Sequence, residues 1–243
     1  MLALILNSGL GLRMGVYTEK QPKCMTDISA NDSILSRQLK IISESDIRDV
    51  IITTGYFDDV LVDYCNSLGI PLNFTFVKNP LFNDTNYIYS IYSAKDYFSR
   101  SDIVLMHGDM VFSRKVFKDV LKCETSCMTV SSTVPLPKKD FKAEMKNGKI
   151  EKIGLEFYDN ALSAQPLYKL KAVDWKIWLD KIIEFCENGN RKCYAENAFN
   201  EVSNKCHIYP LDVKDELCNE IDNPDDLVTV SASVAKTEKI EKL

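Results

Sequence analysis

The residues best suited to chemistry lie in the first loop of the chain, within residues 6–24. Gly9 and Gly11 remove two side chains there, so that backbone amides can point at the oxygens of a phosphate. A glycine pair alone is weak evidence, because dinucleotide-binding loops, triphosphate-binding loops and plain turns all contain it. More distinctive are the cations that follow, Arg13 and Lys23, since such side chains suit the binding of phosphates.

Two well-known phosphate loops do not fit this segment. A dinucleotide-binding loop would need a third glycine at position 14 and an acidic residue at the end of the next strand. Met14 stands at that position, and the predicted strand ends in Thr54-Gly55. A P-loop would need Gly-Lys followed by Ser or Thr, which the segment lacks. The features that remain to be explained are Arg13 and the Pro22-Lys23 pair.

The elements that must position this loop alternate between short apolar runs and segments of helical periodicity. One run, "DIVLMHGDMVF", ends in Gly108 and Asp109. Alternating strands and helices predict a mainly parallel sheet whose ligands bind beyond the carboxyl ends of its strands. We therefore predict an α/β fold with a Rossmann-like, mainly parallel mixed sheet flanked by helices on both faces. The predicted strands are 2–6, 49–55, 72–77, 102–112, 127–132 and 206–211, and the predicted helices are 33–43, 57–68, 86–98, 173–188 and a last one from about 224.

The second half of the chain departs from this alternation. "FKAEMKNGKIEKIG" alternates apolar and polar residues around Asn147-Gly148, which is a strong hairpin signal. Such an insertion forms either the rim of a substrate pocket or a plain surface hairpin. Trp175 and Trp178 have helical spacing, so they either pack in the core or form an aromatic wall for a cation.

The composition excludes several classes of function. The chain has 243 residues, with 30 Lys and Arg against 35 Asp and Glu, and a net charge of −5. We therefore expect neither the basic face of a nucleic-acid-binding protein, nor a membrane-spanning run, nor a signal peptide. We expect one cytoplasmic domain that binds neither nucleic acid nor membrane, and no apolar stripe indicates its oligomeric state. Its eight cysteines include no CxxC pair, so we interpret them as reduced thiols.

The stretch "LILNSGLGLRMGVYTEKQPKCMTDI" resembles the signature LxAGxGxRx…TxxxPKxL of the nucleotidyltransferases that activate sugar phosphates and phosphocholine. The resemblance implies that the glycine loop wraps a nucleoside triphosphate. It also implies that Arg13 and Lys23 are the catalytic residues, with their positive charge beside the α-phosphate and the leaving pyrophosphate. Asn7 and Ser8 depart from the signature, which has small apolar residues or glycine there, so contacts to the nucleotide are expected to differ at this point.

Two further segments extend the resemblance. "SILSRQLKIISESDIRDVIITTGY" is similar to the helix and second strand of the family. "NPLFNDTNYIYSIYSAKDYF" is similar to a segment that helps to seat the base and the ribose, although its Asn86 suits a helix cap equally well. The nucleotide-binding residues implied in this way are Leu6, Asn7, Ser8, Gly9, Gly11, Asn86, Tyr87 and Ser90.

Triphosphate chemistry of this kind needs Mg²⁺, which one or two carboxylates and water molecules hold. Asp109 follows an apolar strand on the ligand side of the sheet, where an Asp is also typical of a turn or a cap. The late motif "EIDNPDDL" is similar to Glu-Ile-Asp-x-x-x-Asp-Leu of the phosphocholine-type members, in which the first Asp is the second metal ligand. The resemblance therefore implies a magnesium site on Asp109 and Asp222.

The late motif and the modest length resemble the compact phosphocholine cytidylyltransferase-like branch. This branch implies CTP and a small phosphorylated or phosphonylated acceptor, such as phosphocholine, 2-aminoethylphosphonate or phosphoglutamine, for cell-surface or capsule decoration. We accordingly interpret 1–243 as a single nucleotidyltransferase domain. It comprises a nucleotide-binding core at 1–135, an acceptor-binding lobe at 136–215, and a metal-ligand motif with a C-terminal helix at 216–243.

The acceptor site is expected in the second half of the chain. Choline would favour an aromatic cage with an acid, whereas Lys169 and Lys171 would favour an acceptor with extra carboxylate or phosphate, if their face points at the site. The predicted acceptor-binding residues are Tyr168, Lys169, Trp175 and Glu196, and Trp178 and Tyr194 are further aromatic residues that such a cage could use.

Two other functions stay open on the sequence. One is a sugar-1-phosphate uridylyl- or thymidylyltransferase. The other is a non-catalytic nucleotide-binding regulatory protein on the same fold, which would be expected to have lost Arg13, Lys23 or one of the metal carboxylates. None of these residues is lost.

Overall fold

The apolar runs of the sequence form a central sheet, and the amphipathic segments form helices that cover it. The structure is a computed structural model, and it describes residues 1–98 and 101–241. The strands are β1 (Leu2–Leu6), β2 (Asp49–Thr54), β3 (Asn73–Lys78), β4 (Ile103–His107), β5 (Met110–Phe112), β6 (Cys127–Ser131), β7 (Lys142–Lys146), β8 (Lys149–Gly154), β9 (Ala161–Leu170), β10 (Tyr209–Asp212) and β11 (Cys218–Glu220). The helices are α1 (Ile34–Ser43), α2 (Asp58–Ser67), α3 (Tyr87–Ser93), α4 (Arg114–Lys122), α5 (Ala172–Glu187), α6 (Ala195–Val202) and α7 (Pro224–Glu241).

Nine strands form the main sheet in the part of the chain that the structure describes. Its strand order is β10-β6-β9-β4-β1-β2-β3, and the β7–β8 hairpin is attached to β9. The strands β1, β2, β3 and β4 are mutually parallel, whereas β9 is antiparallel to both β4 and β6. The predicted α/β fold with a mainly parallel mixed sheet is therefore confirmed.

Local signals in the sequence account for several boundaries. Ser33 caps α1, because its side chain accepts a hydrogen bond from the Ser36 amide at 3.1 Å while the Ser36 hydroxyl accepts one from the Ser33 amide at 2.9 Å. The β7–β8 hairpin turns at Asn147 and Gly148, whose φ angles of 52° and 75° match a tight hairpin turn. Pro224 begins α7 as predicted.

Two predicted elements differ from those observed. The helix predicted over 86–98 ends at Ser93, because the Ala94 amide bonds to three preceding carbonyls and the chain tightens into a short 3-10 turn. The strand predicted over 102–112 divides at Asp109 into β4 and β5. After this turn β5 leaves the main sheet and pairs antiparallel with β11.

Two apolar cores lie on opposite faces of the main sheet. The helices α3, α5 and α6 cover one face, and α1, α2 and α4 cover the other. Trp175 and Trp178 are buried in the first core, so packing is the role that the structure supports for both. No helix in the described ranges is long and apolar enough to cross a membrane.

A third apolar cluster joins the first loop to the last helix. Met14, at the position where a dinucleotide loop would carry glycine, is fully buried and belongs to the same cluster as Leu227, Val230 and Val234 of α7. Gly15 follows with φ 58° and ψ −125°, a conformation that residues with a Cβ atom avoid. The loop is therefore anchored through one apolar side chain.

Met14→Ala should destabilise the protein, because it leaves a cavity between the first loop and α7. We expect the free energy of unfolding to fall by about 2–5 kcal/mol, as for other buried Met and Leu residues. Urea denaturation followed by circular dichroism measures this change. Val16→Ala is the control, since Val16 is 74% exposed and its truncation should cost less than about 0.5 kcal/mol. An equally small effect of Met14→Ala would contradict the anchoring role.

Candidate active site

A cavity of about 540 Å³ opens at the carboxyl ends of β1, β3 and β4. Ligands of open α/β sheets bind at this edge. The structure places every residue that was predicted to bind nucleotide or metal, or to act in catalysis, on the wall of this cavity. These residues are Leu6, Asn7, Ser8, Gly9, Gly11, Arg13, Lys23, Asn86, Tyr87, Ser90, Asp109 and Asp222.

The centre of the cavity wall is an ion-pair cluster. The Lys23 Nζ atom donates hydrogen bonds to Asp109 Oδ2 and, at 3.1 Å, to Asp222 Oδ1. Arg13 Nη2 lies 2.8 Å from the same Asp222 oxygen, although 70% of the Arg13 side chain is exposed. Burial alone would lower the pKa of Lys23, but the charges of Asp109 and Asp222 outweigh it and raise the pKa above its ordinary value. Lys23 is therefore a charged ammonium group at neutral pH.

Tight backbone geometry brings these groups together. Gly11 has φ 64°, and a Cβ atom there would lie only 2.9 Å from Lys23 Cβ. Asp109 lies in the turn between β4 and β5. Asp222 precedes α7, where its backbone amide donates a hydrogen bond to Asp226 Oδ2 at 2.9 Å. Asn223 caps α7, since its Oδ1 accepts from the Asp226 amide at 3.1 Å, and Asp226 orients the Asp222 backbone.

His107 and Glu220 form a second buried pair beside Asp109. His107 Nδ1 lies 3.0 Å from Glu220 Oε1. Burial and the Asp109 charge raise the pKa of Glu220 to about 7. Burial lowers the pKa of His107, but the hydrogen bond to Glu220 and the nearby carboxylate charges together outweigh it and raise the pKa to about 9. Both shifts favour retention of a proton by the pair at neutral pH. Neither residue was predicted from the sequence, although each stands two positions before a predicted metal carboxylate.

The donor groups around Asp109 suit a hard divalent cation. Asp109 Oδ1 is buried and has no hydrogen-bond partner among the described residues. One ligand atom each of His107, Asp109 and Glu220 lie within 4.8 Å of one another, and Asp222 is connected to Asp109 through Lys23. Because Mg²⁺ prefers carboxylate oxygen to imidazole, the residues that could hold it are Asp109 and Asp222, with Glu220 as a third.

Further polar groups without partners lie at the end of β1. Asn7 Nδ2 and Ser8 Oγ are both buried and, in the described ranges, make no hydrogen bond. A Cβ atom on Gly108 would lie 1.7 Å from Asn7 Oδ1, so the Asn7 side chain fits only because residue 108 is glycine. These are the two positions at which the loop departs from the signature. Both offer hydrogen-bonding groups where the signature has small apolar residues or glycine.

The segment predicted to seat the base and ribose has a structural role as well. Asn86 caps α3, since its side chain accepts a hydrogen bond from the Tyr87 amide at 2.7 Å. The Ser90 hydroxyl accepts a hydrogen bond from Asn79 Nδ2 at 3.2 Å. Both side chains still line the cavity, so capping and ligand contact are compatible.

The structure places the four predicted acceptor residues elsewhere. Tyr168 and Glu196 are buried behind the cavity wall, where Tyr168 and Tyr87 both donate hydrogen bonds to the Glu196 carboxylate. Lys169 Nζ donates to backbone carbonyls near the end of α4. Trp175 packs in the core. Direct acceptor binding by these residues is therefore not supported, because the alternation of β9 and the periodicity of α5 turn the side chains into the protein.

Aromatic rings instead form one wall of the cavity. Tyr87 packs on His107 with ring centroids 4.7 Å apart, and Tyr194 packs on Tyr87 at 5.8 Å. Phe141 meets the Tyr194 ring edge-on at 4.9 Å. All three rings line the cavity, and Glu196 holds Tyr87 in place from behind. The wall thus combines apolar rings with polar tips.

Known proteins share parts of this sequence. The CTP:phosphoglutamine cytidylyltransferase of Campylobacter jejuni is 25% identical over 167 residues, which cover 63% of this chain and 64% of that protein. The choline-phosphate cytidylyltransferase of Haemophilus influenzae is 30% identical over 115 residues, 47% of this chain and 46% of that protein. The chain thus spans less than two thirds of the length of either relative.

Similarity of fold extends over almost the whole chain. The solved CTP:phosphocholine cytidylyltransferase of Streptococcus pneumoniae aligns with a TM-score of 0.76 and 18% identity, covering 96% of this chain and 99% of that one. At this identity the match shows a shared fold. Residues 3–134, more than half of the chain and including the first loop and Asp109, match the MobA-like NTP transferase domain. The chain belongs to the family of nucleotidyltransferases with a MobA-like NTP transferase domain.

Proposed function

We propose that this protein transfers a cytidylyl group from CTP to a small phosphorylated or phosphonylated acceptor and releases pyrophosphate. The observation that carries the proposal is the contact of Lys23 with Asp109 and Asp222, with Arg13 on Asp222. Cations suited to phosphates and carboxylates suited to a divalent metal thus share one edge of the sheet. The names of the two relatives support CTP as the nucleotide.

The reaction needs no protein nucleophile. An oxygen of the acceptor phosphate or phosphonate attacks the α-phosphorus of CTP in line, the bond from that phosphorus to the β-phosphate breaks, and pyrophosphate leaves. Arg13 and Lys23 stabilise the negative charge on the triphosphate, and the first-loop amides orient it. Mg²⁺ on Asp109 and Asp222, when bound, would neutralise further phosphate charge.

Lys23 has to exchange partners when a ligand binds. In the structure its ammonium group neutralises both carboxylates, so it competes with any cation for the same oxygens. A triphosphate offers Lys23 and Arg13 a more highly charged partner, and this frees the carboxylates. Nucleotide and metal should therefore bind cooperatively.

The aromatic wall is the proposed acceptor side of the cavity. Neither Lys169 nor Lys171 lines it, because Lys169 donates to backbone carbonyls and Lys171 Nζ pairs with Asp102 at 2.6 Å. Tyr87, Tyr194 and Phe141 suit the cationic or amide head group of phosphocholine, 2-aminoethylphosphonate or phosphoglutamine. Cell-surface or capsule decoration and a cytoplasmic location stay predictions that follow from this proposal.

A substrate panel tests the proposal directly. The protein is incubated with each nucleoside triphosphate, Mg²⁺ and phosphocholine, 2-aminoethylphosphonate, phosphoglutamine or glucose 1-phosphate, and pyrophosphate release is measured. We expect release with CTP and one of the first three acceptors. Release with UTP or dTTP and glucose 1-phosphate would replace the proposal by a sugar nucleotidyltransferase. If the wild-type protein releases no pyrophosphate with any combination, this would favour a nucleotide-binding regulatory protein.

Lys23→Ala and Asp109→Asn should each lower turnover by about 10²–10³-fold, because each removes charge stabilisation at the reacting phosphates. Pyrophosphate release measures the rate, and circular dichroism checks that the fold is intact. Lys40→Ala is the control, since Lys40 forms an ion pair with Asp32 on another surface. Wild-type rates in either site variant would contradict the assigned roles.

Lys23→Met should strengthen metal binding in the absence of nucleotide, because the competing ammonium group is gone. Titration with Mn²⁺, followed by electron paramagnetic resonance, should give an affinity about tenfold higher than in the wild type, or about 1.4 kcal/mol. Lys40→Met serves as the matched control, with wild-type affinity expected. Unchanged or weaker Mn²⁺ binding by Lys23→Met would show that Lys23 does not compete for this site.

A further inference from the structure

A buried lysine outside the proposed catalytic set lies under the rim of the cavity. Lys142, the first residue of β7, is 0% exposed and does not line the cavity. We propose that the Lys142 ammonium group fixes the loop at residues 135–141 against the acceptor side of the cavity, and so acts as a positioning residue for acceptor binding. This inference rests on the proposed function.

The loop has few other restraints. Lys142 Nζ donates hydrogen bonds to the carbonyl oxygens of Pro137 at 2.6 Å and Asp140 at 3.0 Å. Within the described residues, these two are the only hydrogen bonds formed by residues 135–140. Pro135 and Pro137 cannot donate, and regular secondary structure begins only at Lys142 itself. The conformation of this segment therefore depends on one side chain.

The surroundings of Lys142 also indicate a positioning role. No carboxylate of the described chain lies within 4.0 Å of its Nζ atom, and the Tyr158 ring covers it with the centroid 4.5 Å away. Burying an ammonium group without a carboxylate partner costs free energy. A Met side chain would fill the same space without this cost. The charged group is favourable at this site because it donates hydrogen bonds to the two loop carbonyls.

The loop connects directly to the aromatic wall. Lys139, Asp140 and Phe141 line the cavity, and the Phe141 ring packs edge-on against Tyr194. The Phe141 carbonyl accepts a hydrogen bond from Ala164 of β9 at 3.0 Å, so the end of the loop is attached to the sheet. Release of the two carbonyls would free Lys139 and Asp140 and loosen the Phe141 contact.

The effect should be larger on the acceptor side than on the nucleotide side. The first loop is held by the Met14 cluster, and Asn86 and Ser90 are held by the cap of α3 and by Asn79, without any contact to Lys142. Asp140 also interacts electrostatically with Arg13 and Asp222, so a small effect on CTP binding is expected. Loss of the ammonium group should therefore weaken acceptor binding more than CTP binding.

Two measurements on Lys142→Met test this inference. With CTP and the acceptor that the wild type uses best among phosphocholine, phosphoglutamine and 2-aminoethylphosphonate, KM for the acceptor should rise about fivefold to tenfold, while KM for CTP stays within twofold. Limited trypsin digestion should cut after Lys138 and Lys139 about tenfold faster, since local opening exposes these bonds. Lys142→Gln, which keeps N–H donors without the charge, should fall between wild type and Lys142→Met.

The matched control is Lys146→Met on the same strand, where an exposed lysine pairs with Glu151 at 2.7 Å. Wild-type digestion and KM values are expected for it. An unchanged cleavage rate in Lys142→Met overturns the fixing of the loop, and an equal rise of both KM values overturns its selectivity for the acceptor. If the wild type releases no pyrophosphate with any acceptor, the proposed function is refuted, and the acceptor role of Lys142 with it. The digestion then tests only whether Lys142 fixes the loop.

Discussion

One ammonium group between two carboxylates is the contact on which the site depends. Two like charges about 4 Å apart repel by about 4 kcal/mol at an effective dielectric constant near 20, so Asp109 and Asp222 need a cation between them. Lys23 supplies it in the absence of ligands. The tight turn at Gly11, the division of β4 from β5 and the start of α7 each place one member of this cluster. The contacts of Lys23 with the two carboxylates therefore hold these segments together. The same atoms would bind ligands.

Much of the site was predictable because its residues stand where the chain must turn. Strand ends, a helix start and a glycine loop carry Lys23, Asp109 and Asp222, and a parallel sheet gathers such points at one edge. His107 and Glu220 were missed, since a lone His in an apolar strand and a Glu before an Ile are both typical of ordinary packing. Only the tertiary pairing of β5 with β11 brings them together.

The acceptor side was least predictable, for a physical reason. The residues proposed for it lie at the start of α3, just before α6 and at the end of a loop, so their orientation depends on contacts between distant segments. Lys169 and Trp175 have suitable chemistry but point into the protein. Phe141 begins the alternating hairpin segment, and the alternation does not show that its ring lines the cavity. The burial of Lys142 could not be predicted from the sequence, because a lysine in a hairpin is usually exposed.

The cluster between the first loop and α7 also sets an order of assembly during synthesis. Met14 is synthesised after β1 and before the other strands of the central sheet, whereas Leu227, Val230 and Val234 of α7 follow all of these strands. The sheet can thus form around a loop that still lacks its anchor. Until α7 docks, Met14 lacks its apolar partners, so the part of the cavity wall that the first loop contributes is not yet held in place.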